Sequence, residues 1–516
     1  MKKLLQHTAS DISASIVVLL IGLPLCLGIA LGSGAPLFSG IIAGIVGGIV
    51  VGFFSKSSLS VSGPAAALTA VVVTGITSLG SYEAFLLAVV LAGFFQIILG
   101  FIKAGVIAHY VPNSVIRGML TAIGLILILK QIPHILGYDV DFEGDERFFQ
   151  SDQQNTFTEI LQALNAIQST ALMIGLISLF ILLIWQTKSI KKKLWLNLLP
   201  APLLVVLLST VANYILEFTA SNAKLEASHL VSLPIPKDLT DFISFFTLPN
   251  FSTILNPTTW VIAFSLAIIA SLETLLAVEA IDKLDPLKRI TPTNRELKAQ
   301  GIGNIVSGLI GGLPVASVIV RSSVNVNAGA TSKKSTVING ILLLFCAVFI
   351  PGLLSKIPLS ALAAVLIYTG FKLVSLKEIK SFYAKGWDQF MPFVATVLAI
   401  LLTDMLTGIV VGMLVSLFYL VRSNFRSAIL VVNDNNNYLI RLRKDVSFLN
   451  KPIIKKHLQT FPDNSFVIVD ATRADFIDKD IIEEINDFIS NAPSRGISVS
   501  VKKGNYQPMH LLFKQP

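Results

Sequence analysis

The chain of 516 residues is poor in charge and in cysteine. Only 14% of its residues are charged, against about 25% in soluble domains, whereas 53% are hydrophobic and the mean hydropathy is +0.74. Its two cysteines, Cys26 and Cys346, both lie inside apolar runs, which excludes a disulfide framework or a cysteine metal cluster. This composition is typical of a membrane protein rather than of a soluble or disulfide-rich one.

Catalytic constellations are also missing. The sequence shows no nucleophile–base pair and no metal-ligand spacing, so it predicts neither an enzyme nor a metal or cofactor site. The net charge of +9 does not indicate a nucleic-acid partner, because basic residues of membrane proteins gather in cytoplasmic loops.

Long apolar runs indicate a polytopic α-helical membrane protein with fourteen spans. Three of these segments, at 64–80, 297–312 and 313–330, are short or polar. The other eleven are near 12–31, 36–54, 84–102, 115–130, 171–186, 199–218, 259–278, 336–354, 359–374, 391–405 and 407–422.

The distribution of charge supports the count of fourteen. Basic residues precede the first span and follow even-numbered spans: Lys2 and Lys3; Lys56; Lys103 and Arg117; Lys188 and 191–193; Lys283, Lys288, Arg289, Arg295 and Lys298; Lys333 and Lys334; Lys372, Lys377, Lys380 and Lys385. The loop after span 5 is acidic instead, from Asp139 to Glu146. The positive-inside rule therefore predicts a multi-pass protein of the cell's inner (plasma) membrane with both termini in the cytoplasm.

The composition changes after the last span. Residues 1–425 are predicted to form the transmembrane transport domain, and residues 426–516 a small cytoplasmic domain. Alternating strands and helices predict an α/β fold for the second domain. The expected order is strand 428–432, strand 438–442, helix 451–460, strand 466–469, helix 478–491 and strand 497–501.

A buried carboxylate and a repeated interruption of apolar spans point to a transport site. Glu273 lies in an otherwise uncharged run, where an ionised group is costly and usually functional. Pro314 follows it by forty-one residues, and in the first half of the chain Pro64 follows Pro24 by forty. Such paired interruptions in corresponding positions are typical of the binding site of an inverted-repeat transporter.

The two interrupted segments are predicted to be half-helices that enter from opposite faces. Extended chain through 59–63 would lead to a first half-helix, with Pro64 in its first turn and residues 65–73 completing it. Extended chain through 313–318 would lead to a second half-helix from Ile319 to Lys333. Their amino-terminal ends would meet near the middle of the bilayer.

That meeting point favours a small anion. Free backbone N–H groups and helix dipoles attract negative charge, and Arg321 adds a positive charge in the first turn of the second half-helix.

Structural alternatives remain for each side chain. Glu273 could form a structural pair with Arg321, Arg321 could extend to the interface, and the hydroxyls of Ser317 and Thr69 could bond to their own helices.

At these positions the chain resembles the sulfate permease (SulP) family of anion transporters over essentially its whole length. The residues that carry the resemblance are Leu23–Ala30 with Pro24, Val61–Ala65, Leu272–Leu276 and Arg321. The tail resembles a STAS domain, with 467–478 as its central strand and following loop.

The resemblance implies a seven-plus-seven inverted repeat with core and gate domains, in which spans 3 and 10 are the half-helices. It also implies elevator-type alternating access and a homodimer. In the family's sodium-coupled bicarbonate members the acid of span 8 serves a cation site, so the resemblance makes Glu273 the candidate for the coupling ion. The implied anion-binding residues are Cys26, Ile29, Pro64, Ala65, Ala66, Ser317, Val318 and Arg321.

The leading hypothesis is a secondary active transporter that carries bicarbonate or sulfate by Na+- or H+-coupled symport. Ala65 and Ala277 stand where bicarbonate-type members often carry hydroxyls, which leaves the anion open. An anion channel or exchanger, for chloride or a dicarboxylate, is one alternative. A nucleobase–cation symporter of the same fold is another, although that class uses an acid where this chain has Arg321.

Overall fold

The computed structural model describes residues 2–140, 148, 154–185, 200–219, 224–231, 243–426, 429–443, 445–504 and 512–513. Contacts divide the chain into two compact units, Met1–Met413 and Leu414–Pro516. The domain boundary at residue 425 stays a prediction. The acidic residues at 141–146 and the basic residues at 188–193 lie outside the described part.

The first unit is built of helices. Their bounds are α1 Lys2–Gly32, α2 Leu37–Phe54, α3 Ala66–Leu79, α4 Tyr82–Phe101, α5 Asn113–Leu136, α6 Thr156–Asn165, α7 Ser169–Trp185, α8 Ala201–Thr219, α9 Pro257–Leu284, α10 Thr293–Leu309, α11 Ile319–Asn327, α12 Lys334–Phe349, α13 Leu359–Leu373, α14 Leu376–Lys385, α15 Trp387–Leu402 and α16 Met405–Arg426. The last of these begins in the first unit and continues past Met413.

The helices follow the predicted order of spans, because each of the fourteen segments contains one of them. Among the described residues, seven helices are long and apolar enough to cross a membrane, or eight if α6 and α7, bent by 116°, count as one span. Helices α3, α8, α12 and α15 are shorter but apolar. One of the seven is the segment Leu359–Lys385, which contains both α13 and α14. The remaining helices, α10 and α11, lie in two of the segments that the sequence marked as short or polar.

Three details of the half-helices differ from the prediction. The first half-helix continues past residue 73 to Leu79. Pro64 does not lie in a helical turn; it ends a short strand, and helix begins at Ala66. The second half-helix ends at Asn327 and not at Lys333. It stops there because Gly329 takes a left-handed conformation, with φ of +90°, which is a common way to terminate a helix.

Close backbone contacts between glycines join helices from the two halves of the chain. A Cβ atom added to Gly93 would lie 2.5 Å from the carbonyl oxygen of Gly301, and one added to Gly301 would lie 2.6 Å from that of Gly93. The same packing joins two further pairs: Gly48 with Gly340, and Gly124 with Gly370. These pairs join spans 4 and 9, 2 and 11, and 5 and 12. In an inverted seven-span repeat, each span of the first half corresponds to the span seven places later. The interface of spans 4 and 9 therefore corresponds to that of spans 11 and 2, and the interface of spans 5 and 12 corresponds to itself.

The second unit contains the predicted α/β domain. Strands β1 (Ser62–Pro64) and β2 (Val315–Ser317) belong to the first unit. The strands and helices of the second unit are β3 Ile429–Asp434, β4 Asn437–Leu442, α17 Lys451–Thr460, β5 Phe466–Asp470, α18 Lys479–Asn491 and β6 Ser498–Lys502. Its sheet has the order β3-β4-β5-β6, with β3 antiparallel to β4 and the other neighbours parallel. Each lies within two residues of its predicted bounds, because strand and helix periodicities alternate clearly in this part of the sequence.

A buried carboxylate links the end of α5 to the segment at 224–231. Asp139 accepts a hydrogen bond from Nδ1 of His134 at 2.5 Å and another from Nδ1 of His229 at 2.6 Å. Burial alone would raise the pKa of Asp139, but the two histidines outweigh it and hold that pKa below its usual value. The hydrogen bond to Asp139 raises the pKa of His229, against the opposing effect of burial.

These opposite pKa shifts predict a pH optimum of stability. The contribution of His229 is complete below its ordinary pKa of 6.5 and is lost as the pH rises through the raised value. The contribution of Asp139 is present above its ordinary pKa of 3.8 and is lost as the pH falls through the lowered value. The thermal midpoint in detergent should therefore be highest at a pH between 3.8 and 6.5 and should decline as the pH rises above 6.5. Asp139→Asn should flatten this decline, and an identical pH profile in that variant would contradict the assignment.

Candidate substrate site

The interrupted segments of spans 3 and 10 pair with each other as two short strands. Strand β1 (Ser62–Pro64) runs antiparallel to β2 (Val315–Ser317), with Ser62 opposite Ser317 and Pro64 opposite Val315. The predicted extended chain is therefore present in both segments. Because the strands are antiparallel, α3 and α11 leave the pair from opposite ends.

Carboxamide side chains of α10 hold both strands. Asn304 donates from Nδ2 to the carbonyl oxygen of Val315 at 2.9 Å, and its Oδ1 accepts from the N–H of Val315 at 2.5 Å. Gln300 donates from Nε2 to the hydroxyl of Ser62 at 2.7 Å. One signal for these residues was visible in the sequence, namely the polarity of the segment 297–312, but the sequence analysis assigned them no role.

Helix α9 brings Glu273 next to a residue that contacts the strand pair. Glu273 is 5% exposed, and Oγ1 of its neighbour Thr274 accepts a hydrogen bond from the N–H of Ser317 at 3.2 Å. The hydroxyl of Ser317 is hydrogen-bonded to the hydroxyl of Ser60. Ser317 therefore bonds to other elements of the core and not to its own helix.

Arg321 is buried in the first turn of α11. Only 2% of this residue is exposed, and Nη2 donates to Sγ of Cys26 on α1 at 3.1 Å. Among the described residues, Nε has no hydrogen-bond partner and no carboxylate forms an ion pair with the guanidinium. The side chain thus does not extend to an interface, and most of its five N–H donors remain available.

Gly63 makes room for the guanidinium, and two further glycines lie beside it. A Cβ atom on Gly63 would lie 2.5 Å from Nη1 of Arg321, closer than two such atoms can approach. Equivalent atoms on Gly44 and Gly22 would lie 3.7 Å from Nη1 and 3.8 Å from Cζ, respectively. The backbone of β1 therefore approaches the guanidinium directly, with no side chain between them.

Backbone donors lie at the start of both half-helices. The N–H of Val318 donates to the carbonyl oxygen of Val61 at 3.0 Å. Among the described residues, no acceptor faces the N–H groups of Ile319 and Val320 or those of Ala66 and Ala67. Unsatisfied N–H groups at a helix start, together with the helix dipole, favour an anion.

A cavity of about 240 Å³ lies beside the first half-helix. Among the described residues, Asp404 is the one ionisable side chain in its lining, and this carboxylate accepts hydrogen bonds from the N–H and the hydroxyl of Thr407. The lining residues are Ala66, Ala67, Ala70, Ile123, Ile126, Ile400, Asp404 and Met405.

The predicted site residues do not all line this cavity. Of the eight, Ala66 is part of its lining. Arg321 contacts Cys26, and the strand pair brings Pro64 and Ser317 together. The others, Ile29, Ala65 and Val318, are buried in the apolar core of the first unit.

The sequence matches the model of the sulfate permease family over residues 9–396. The chain belongs to the sulfate permease family. Putative sulfate transporter YvdB of Bacillus subtilis is 28% identical over 444 residues, which cover 86% of this chain and 79% of that protein. Bicarbonate transporter BicA of Picosynechococcus sp. is 26% identical over 421 residues, which cover 80% and 70% of the two chains.

Solved structures show the same fold. The transmembrane domain of a cyanobacterium bicarbonate transporter, BicA, matches with a TM-score of 0.54 at 21% identity and covers 80% of this chain and 97% of its own. The overall structure of SLC26A9 matches with a TM-score of 0.66 at 16% identity and covers 98% and 86%. These findings confirm the predicted fold class, a multi-pass helical membrane protein with a small C-terminal α/β domain. Membership of a permease family also confirms that the chain is a transporter and not an enzyme.

The space around Arg321 predicts a large effect of one added methyl group. Gly63→Ala should displace the guanidinium from Cys26 while leaving the fold intact, because the group that must move is the end of a flexible side chain. We expect transport at low substrate concentration to fall about tenfold, equal to ~1.4 kcal/mol of binding free energy. Uptake into proteoliposomes measures this, and the thermal midpoint reports folding.

Gly22→Ala is the matched control, since its Cβ would make only ordinary contact with Arg321 at 3.8 Å. This variant should transport like the wild type. Equal transport by the Gly63 and Gly22 variants would show that the position of the guanidinium does not matter.

Proposed function

We propose that this sulfate permease family member carries a small inorganic anion across the cell's inner membrane together with Na+ or H+. The observation that carries the proposal is Arg321, a buried cation that has no carboxylate partner among the described residues and retains unused donors. A buried charge without a partner is costly. An anionic substrate would offset that cost.

The anion would bind where Arg321 and the starts of the two half-helices supply donors. Arg321 would provide the charge, and the free N–H groups at Ile319, Val320, Ala66 and Ala67 would add directed hydrogen bonds. The remaining predicted residues would shape the site: Cys26, Ile29, Pro64, Ala65, Ser317 and Val318. Since Ser317 is already bonded to Ser60 and Thr274, we assign it a positioning role.

Bicarbonate and sulfate are the preferred candidates for the substrate. Relatives named as sulfate and bicarbonate transporters support this choice, and both anions offer oxygen acceptors to a guanidinium. A nucleobase is disfavoured, because span 10 supplies Arg321 in place of an acid.

Glu273 is proposed to serve the coupling cation. Thr274 links its helix to β2 through Ser317, so a change at Glu273 can reach the strand pair that positions α11. A bound Na+ or a proton on Glu273 would offset part of the charge of the anion. The acid is therefore suited to the cation, and Arg321 to the anion.

An elevator motion fits the position of the cavity. The cavity is lined by α3 on one side and by α5, α15 and the start of α16 on the other. A core that carries α3 could slide along a gate that carries α5 and expose the site alternately to each side. A homodimer, cytoplasmic termini and a STAS role for the C-terminal domain belong to the same proposal.

Uptake into proteoliposomes tests the proposed function. Radiolabelled bicarbonate and sulfate would be supplied separately, with a Na+ or a proton gradient imposed in turn. We expect one of the two gradients to accelerate uptake of at least one anion. Glu273→Gln should abolish that acceleration, because a neutral amide neither binds a proton nor holds Na+ as a carboxylate does.

Glu279→Gln is the matched control on the same helix. Glu279 forms an ion pair with Lys283 at 3.2 Å near the end of α9, so this variant should keep its gradient dependence. Gradient-independent uptake that Glu273→Gln leaves unchanged would refute coupling. Currents far above the turnover of a carrier would indicate a channel instead.

A further inference from the structure

Lys130 is a buried cation that the site described above does not use. It lies on α5, is 8% exposed, and its Nζ has no hydrogen-bond partner among the described residues. The side chain lines a second cavity of about 130 Å³. The lining residues are Ile126, Leu129, Lys130, Phe148, Thr156, Phe157, Leu398, Leu401 and Leu402.

The charge of Lys130 is incompletely compensated. Nζ lies 3.6 Å from Oε2 of Glu159 on α6, which is longer than the 2.7–3.2 Å typical of a hydrogen bond from nitrogen. An ammonium has three donors, and unused donors are costly in a cavity whose other described lining residues are apolar except for Thr156. The first N–H groups of α6 cannot serve a ligand, because Asn155 caps those of Phe157 and Thr158. Lys130 is therefore the strong donor of this cavity.

The second cavity adjoins the cavity beside the first half-helix. Ile126 lines both of them. Along α5, Ile123, Ile126 and Lys130 are spaced three and four residues apart and so share one face of the helix. Helix α15 likewise contributes Ile400 to the first cavity and Leu398 to the second. The two cavities thus follow one another along the seam between α5 and α15.

We propose that Lys130 forms a second binding subsite, for a small inorganic anion on its way to or from the first cavity. This inference rests on the proposed anion transport. The ammonium would bind the anion in place of its loose contact with Glu159. The volume of about 130 Å³ has room for one small anion.

Substitutions of the two charged residues separate a subsite from a structural ion pair. For a subsite, Lys130→Gln and Lys130→Met should raise the KM for anion uptake about tenfold, the effect of losing one charge-assisted hydrogen bond. Lys130→Arg should keep the KM near the wild-type value. Glu159→Gln should not raise it, because that change removes a competitor of the anion.

The double variant Lys130→Gln/Glu159→Gln decides between the two roles. A subsite predicts that the KM stays raised, since the ammonium is still missing. A purely structural pair predicts that each single variant lowers the thermal midpoint and that the double variant restores both the midpoint and the KM. The second pattern, or a wild-type KM in Lys130→Gln, would overturn the proposal.

A binding measurement keeps this test independent of transport. Titrating the purified protein with chloride, bicarbonate or sulfate should raise its thermal midpoint, and Lys130→Gln should show a smaller rise at the same concentrations. If the wild type transports none of these anions, the proposed function fails, but a smaller rise in Lys130→Gln still supports the subsite. An equal rise in both proteins would refute it.

Discussion

The requirement that backbone polar groups be hydrogen-bonded inside a membrane is the constraint on which this structure depends. Spans 3 and 10 both leave the helical conformation there, and lipid offers no partner for the freed N–H and C=O groups. Strands β1 and β2 meet this requirement by pairing with each other, and Asn304 adds further bonds to Val315. Two segments about 250 residues apart in the sequence are thereby held in one register, and this register positions the starts of α3 and α11.

The two ionisable residues of the site, Arg321 and Glu273, are positioned around the same strand pair. Arg321 approaches the backbone of β1 at Gly63, while Glu273 lies on α9, whose Thr274 bonds to β2. The two ionisable groups therefore connect to different strands of one small sheet. A change in the charge on either side can shift that sheet, which gives a physical route by which a cation and an anion could influence each other's binding.

Close helix packing complements the strand pair. Carbonyl oxygens approach glycine Cα atoms where spans 4 and 9 cross at Gly93 and Gly301, and where spans 5 and 12 cross at Gly124 and Gly370. Such contacts are typical of membrane interiors, where small residues let helices approach and dispersion forces replace the hydrophobic effect. The two cavities described above lie along the seam between α5 and α15.

The sequence by itself determined the order of the spans, the burial of Glu273, the extended chain before both half-helices and the bounds of α17 (Lys451–Thr460). These features depend on local hydrophobicity, charge and turn residues, which a single sequence displays directly. Only the tertiary structure decided that Pro64 ends a strand, that Asn304 holds β2 and that Arg321 contacts Cys26. Each of these depends on contacts made through the fold, and local periodicity contains no information about which distant residues meet.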